Sequence, residues 1–211
     1  MELKKEVNKE SKPKKKKWKI ILTVIGIIVA VPLILAFFIP GFLITFILML
    51  FTFGTEKEIT TDIAKYNEVI VGEKWGMSEE IFPESIVDLN VVDFKHVYYN
   101  PWDANYLCYL VVDYDDAEYK KEVERLNEIG IEDYKGYYSV TGFENHDLLA
   151  MDSDSYQGFI YAIKGEGNQI IYVELVFCNY FMDIEYEAEI PLDYLPNGFN
   201  AKLNNPYQKL H

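Results

Sequence analysis

Residues 20–53 contain no Lys, Arg, Asp, Glu or His. An uninterrupted run of this kind cannot be placed on the surface of a water-soluble domain, so it constrains every other reading of the chain. A membrane-spanning helix needs roughly 20 apolar residues, each rising about 1.5 Å. As one helix this run would be about 51 Å long, against a hydrocarbon core of about 30 Å. Pro40-Gly41 is the expected break, because Pro removes a helix hydrogen bond and Gly adds backbone freedom. Residues 20–39 then make one full span, and residues 42–53 are too short for a second crossing. The expectation is a single span whose surplus tilts, kinks or lies in the interface, rather than a hairpin turning at Pro40-Gly41. A cleaved signal peptide is excluded by length and by the lack of a small-x-small site beside Ala30 or Ala36.

Charge orients the span. Residues 1–19 hold nine lysines against three glutamates, a net +6, and Trp18 stands where an interfacial aromatic anchor belongs. The chain as a whole is −14, so residues 54–211 carry −20 (−14 less +6). Lys-rich flanks stay in the cytoplasm. The organisation expected is a basic cytoplasmic tail (1–19), a transmembrane anchor with a Pro-Gly break (20–53) and an acidic extracytoplasmic domain (54–211). The protein then lies in the cell membrane as a single-pass signal-anchor protein, with the lipid bilayer as its first partner. Nineteen lysines beside the single Arg125 suggest an AT-rich, bacterial genome. The acidity argues against nucleic acid as a partner and favours cations or basic partners.

The acidic region is long enough for one domain and holds all 17 tyrosines, a β-leaning composition. Residues 54–60 read as a linker. Thr61-Asp62 can cap a helix with Ile63, Tyr66 and Ile70 on its apolar side. Residues 91–99 and 106–114 form a hairpin across the turn-rich spacer 100–105. Residues 116–129 are the principal helix, with Asp115 and Glu118 at capping-box spacing, a Tyr119/Val123/Leu126 stripe and Gly130 as its stop. Short strands are expected at 134–141 and 147–151. A second hairpin joins 158–164 to 168–178 through Gly165-Glu166-Gly167. Its second strand is apolar on both faces except for Glu174, which predicts a central, doubly covered position. Residues 183–190 alternate Asp183, Glu185, Glu187, Glu189 with Ile184, Tyr186, Ala188, Ile190, the pattern of a half-buried strand. The fold class expected is α+β, an antiparallel sheet with one principal packed helix.

No motif specifies a reaction. GxSxG, HExxH, Walker and CxxC patterns are absent. His96 shares a strand face with Phe94 and Tyr98, His146 falls in a loop and His211 is terminal, so no histidine metal cluster arises. Glu174 is the candidate catalytic acid, since a carboxylate in an apolar strand has its proton affinity raised. Its plainer reading is a structural pairing. Tyr98, Tyr99, Trp102 and Asp103 form an aromatic and polar loop suited to a sugar or peptide, or to closing the end of the core. Asp152 and Asp154 resemble the start of a calcium loop that lacks the sixth-position glycine and the twelfth-position glutamate, which is Ile163 here. Cys108 and Cys178 lie in apolar strands, as buried thiols or as a disulfide pair. The acid ladder reads as a solvated face. No cofactor is implied. The function expected is a membrane-anchored domain binding an envelope component, a peptide or another membrane protein. The alternatives are a carboxylate-dependent envelope hydrolase or transferase, and a small subunit of a membrane complex.

Overall fold

A computed structural model describes residues 14–53, 56–70, 77–100, 103–133, 142–154, 157–177, 184–197 and 199. The chain divides into two compact units, Met1–Thr52 and Phe53–His211.

The described part of the first unit belongs to helix α1, Lys14–Phe53, with Pro32 and Pro40 in its interior. The expected break at Pro40-Gly41 is absent, and with it the hairpin. Each proline deletes one backbone N–H, but a turn there would leave many more backbone groups without partners, and no side chain nearby could satisfy them. Residues 18–49 have a mean hydropathy of 3.0 and none of this stretch is buried. The hydroxyls of Thr23 and Thr45 donate back to the carbonyls of Lys19 (2.9 Å) and Gly41 (2.8 Å), which removes two polar groups from an apolar surface. This one helix is long and apolar enough to cross a membrane.

The second unit is α+β. Its six strands are β1 (Glu56–Thr60), β2 (Asn90–Asn100), β3 (Asn105–Asp113), β4 (Leu148–Asp154), β5 (Gly158–Lys164) and β6 (Gln169–Val176). They form one sheet in the order β1-β2-β3-β6-β5-β4, and every neighbouring pair is antiparallel. Two three-stranded meanders therefore meet at β3 and β6. The central strands are apolar on both faces because both are covered. One face carries Val97, Leu107, Tyr161, Val173 and Leu175, overlaid by Ile184, Tyr186, Ile190 and Leu195. The other carries Leu110, Ile160, Ala162 and Tyr172 beneath Tyr66, Ile81, Phe82 and Leu126.

Helix α3 (Asp116–Ile129) begins and ends where expected. The Asp115 carboxylate accepts from the N–H groups of Ala117 (2.9 Å) and Glu118 (2.8 Å), and Gly130 terminates the helix at φ 86°. Asp62 likewise caps a 3₁₀ turn, Ile63–Lys65, which runs into the single helical turn α2, Tyr66–Val69. A second 3₁₀ turn, Glu79–Ile81, packs on the same sheet face as Tyr66; residues 63–70 and 77–84 are the described parts of this 63–84 crossing.

Two expectations are corrected. Residues 56–60 are not a linker but the edge strand β1, in register with β2 from Glu56↔Asn100 to Thr60↔His96. The alternating stretch 183–190 is not a strand. Within its described part, residues 186–189 make the helical turn α4 (Tyr186–Glu189), followed by a 3₁₀ turn, Leu192–Tyr194. Tyr186 and Ile190, four apart, bury the same side of that turn, and the Ile190 N–H donates to the Tyr186 carbonyl at 3.1 Å. Period 2 and a single helical turn share these positions, so alternation alone misread them. The strand expected at 134–141 lies outside the described residues.

Candidate functional site

The strand order assembles a row that no local motif shows. Register partners across a sheet share a face, and Thr60, His96, Cys108, Glu174, Ile160 and Asp152 are successive partners from β1 to β4. His96, Cys108 and Glu174 are thereby neighbours, with exposures of 7%, 0% and 0%. Desolvation lowers the His96 pKa to about 4, so its imidazole is neutral. His96 Nε2 has no hydrogen-bond partner among the described residues. Burial, with the nearby Glu174 charge second, pushes the Cys108 thiol well above its ordinary range. A protonated, inaccessible thiol beside a neutral imidazole is not a nucleophile pair. Glu174, the candidate acid, lines neither of the two clefts described below. Cys108 is a free thiol, and Cys178 lies outside the described residues.

The aromatic loop is split by the pleat. Tyr98 stacks near Tyr106 (ring centroids 5.3 Å) and accepts from Asn100 Nδ2 at 3.0 Å. Tyr99 points to the opposite face and packs on the core there. Asn105 Nδ2 donates to the carbonyls of Tyr99 (3.4 Å) and Asp103 (3.1 Å), closing the turn. The structure does not bring Tyr98 and Tyr99 to one surface, and Trp102 lies outside the described residues.

Asp152 and Asp154 belong to strand β4 rather than to a loop. Asp152 accepts from the backbone N–H of Ser78 through Oδ2 and of Ser153 through Oδ1, and Asp154 Oδ1 accepts from the Gln157 N–H at 2.9 Å. These carboxylates tie chain segments together. Among the described residues no group of three or more His, Cys, Asp or Glu could hold a metal.

The acid ladder resolves differently. Glu189 turns inward to Lys57 Nζ (2.6 Å) and Lys95 Nζ (2.8 Å), pinning the chain after β6 to strands β1 and β2. Burial alone would raise its pKa, but the two lysines outweigh that and hold it below the ordinary value. On the same side His146 bridges the Lys164 carbonyl (2.6 Å) and Asp193 Oδ2 (3.3 Å).

A second polar cluster was not foreseen from the sequence. Arg125, on α3, forks onto both oxygens of Glu122, bonding Oε2 through Nε at 2.7 Å and Oε1 through Nη2. Its remaining donors reach the carbonyls of Glu80 and, at 3.1 Å, Ile81. Tyr172 donates to Glu122 Oε1 (2.6 Å) and shares a bond with the Tyr114 hydroxyl (2.7 Å). Tyr66 donates to the Pro83 carbonyl at 2.6 Å. The cluster fixes the 63–84 crossing against α3. The only signal that could have found it was the isolation of the one arginine on the helix.

Between α3 and this crossing lies a cleft of about 870 Å³. Tyr66, Ile70, Phe82, Pro83 and Ile129 supply its apolar lining, and Glu79, Glu80, Glu84 and Glu128 its acidic one, with Arg125 the one cation among the lining residues. A smaller cleft of about 540 Å³ involves Ser78, Ile131, Met151 and Asp152. Comparisons with protein families, with characterised proteins and with solved structures each find no match.

Proposed function

We propose that the protein is a single-pass membrane-anchored domain held outside the cytoplasm, where it binds a partner rather than catalysing a reaction. The observation that carries this reading is the exposed apolar stretch within helix α1, which separates residues 1–19, net +6, from residues 54–211, net −20. The burial of His96, Cys108 and Glu174 supports binding over chemistry, because these side chains are closed off from a substrate. The cleft at α3, larger than the one at Ser78 and Asp152, is where this reading places the ligand.

The orientation is tested by reporters fused after His211. An alkaline phosphatase fusion should be active and a cytoplasmic-folding fluorescent fusion dark. An inactive phosphatase with a bright fluorescent fusion, both stably made, would place the domain in the cytoplasm.

A further inference from the structure

We propose that the cleft between α3 and the 63–84 crossing binds a lysine-bearing polypeptide segment of a partner protein. The aliphatic stem of a lysine would lie over Ile70, Pro83 and Ile129, and its ammonium would sit among Glu80, Glu84 and Glu128. The inference rests on reading the domain as a binding module, and it names the class of ligand.

The cleft volume of about 870 Å³ is within the range that ligand sites occupy. Its floor is built and rigid: Tyr66 and Phe82 are 3% exposed, their rings are 6.4 Å apart, and Tyr66 is tied to the Pro83 carbonyl. An apolar floor with a carboxylate rim matches a side chain that is apolar along its stem and cationic at its tip.

Charge selects the occupant. Arg125 is bonded to Glu122 and two backbone carbonyls, and its ion pair is with Glu122 rather than with Glu80, Glu84 or Glu128. Glu80, Glu84 and Glu128 are exposed and form no ion pair among the described residues. The last turn of α3 also faces this cleft through Glu128 and Ile129, and it contains no basic residue. A helix C-terminus carries roughly half a negative charge, so Glu128 there adds like charge to like. A bound cation relieves both. Among the described residues no trio of ligands is placed to hold a bare metal ion, and the apolar lining suits an ammonium delivered on an apolar stem. Nucleic acid and anionic lipid headgroups are repelled by the −20 domain.

The test uses the full-length protein in phosphatidylcholine nanodiscs. The probe is N-acetylated hexalysine, and its counterpart carries acetyl groups on every lysine Nε. One variant combines Glu80→Gln, Glu84→Gln and Glu128→Gln. A control with the same charge change elsewhere combines Glu58→Gln, Glu144→Gln and Glu166→Gln, all exposed. Titration calorimetry should show hexalysine binding that the cleft variant weakens by at least about tenfold and the control by less than about twofold. The fully acetylated peptide should not bind. Circular dichroism checks that both variants keep the fold. Absence of hexalysine binding, or equal weakening by both variants, would overturn the proposal. Nanodiscs expose both sides of the membrane, so a wrong orientation would fail the reporter fusions and leave this titration unchanged.

Discussion

At the scale of single residues, two states are seen among the domain's buried ionisable groups, neutral and ion-paired. His96 belongs to the first. Its pKa falls from 6.5 to about 4 on folding because burial penalises the imidazolium. The folded form therefore resists a proton that the unfolded chain accepts, and the stability this represents is complete above pH 6.5 and is lost as pH falls toward 4. The loss over that window is about 3 kcal/mol. Urea titrations of the full chain between pH 7 and pH 4 should show His96→Leu losing less stability across the window by about that amount; an unchanged slope would contradict it. Glu189 belongs to the second state. Its depressed pKa stabilises the fold above the ordinary carboxylate range and is lost at lower pH than the His96 contribution. Both therefore make acid destabilising, in different windows.

At the scale of elements, close approach between strands sets limits that composition does not reveal. Gly158 opens β5 at φ 156°, and a Cβ placed there would stand 1.8 Å from the Leu175 carbonyl oxygen of β6. Backbone atoms on the neighbouring strand cannot yield as a flexible side chain can. Gly158→Ala should therefore destabilise the domain by at least about 2 kcal/mol, measured by denaturant unfolding, and a change under about 0.5 kcal/mol would show that the strands part freely. The same scale explains what was legible beforehand. Helix α3 and both hairpins were readable because their signals are local: a capping aspartate, a 3.6-residue stripe, a glycine stop, and turn residues between β-rich runs. Strand β1 was not, since Glu56, Lys57 and Glu58 carry no apolar pattern and the segment is ordered by its ladder to β2. Residues 186–190 failed because Tyr186 and Ile190 satisfy two periodicities at once. The neighbourhood of Glu174 needed the order of six strands, which no single segment encodes. Its burial in a doubly covered strand, by contrast, followed from the apolar residues flanking it.

At the scale of the whole molecule, two three-stranded meanders share one sheet, and each face has its own cover. Helix α3 and the 63–84 crossing lie on one side, and the chain after β6 on the other. The acidic surplus belongs to residues 54–211, net −20, while residues 1–19 hold nine of the chain's twenty basic residues and are net +6. That separation of charge across a continuous apolar helix is the basis for reading the protein as an anchored, exported binding domain. The most direct measurement is protease accessibility in osmotically intact cells stripped of their outer envelope layers, followed with tags at both termini. The account predicts that added protease destroys the C-terminal tag while the N-terminal tag survives on a membrane-embedded fragment ending soon after residue 53. Survival of the C-terminal tag until the membrane is permeabilised would contradict it.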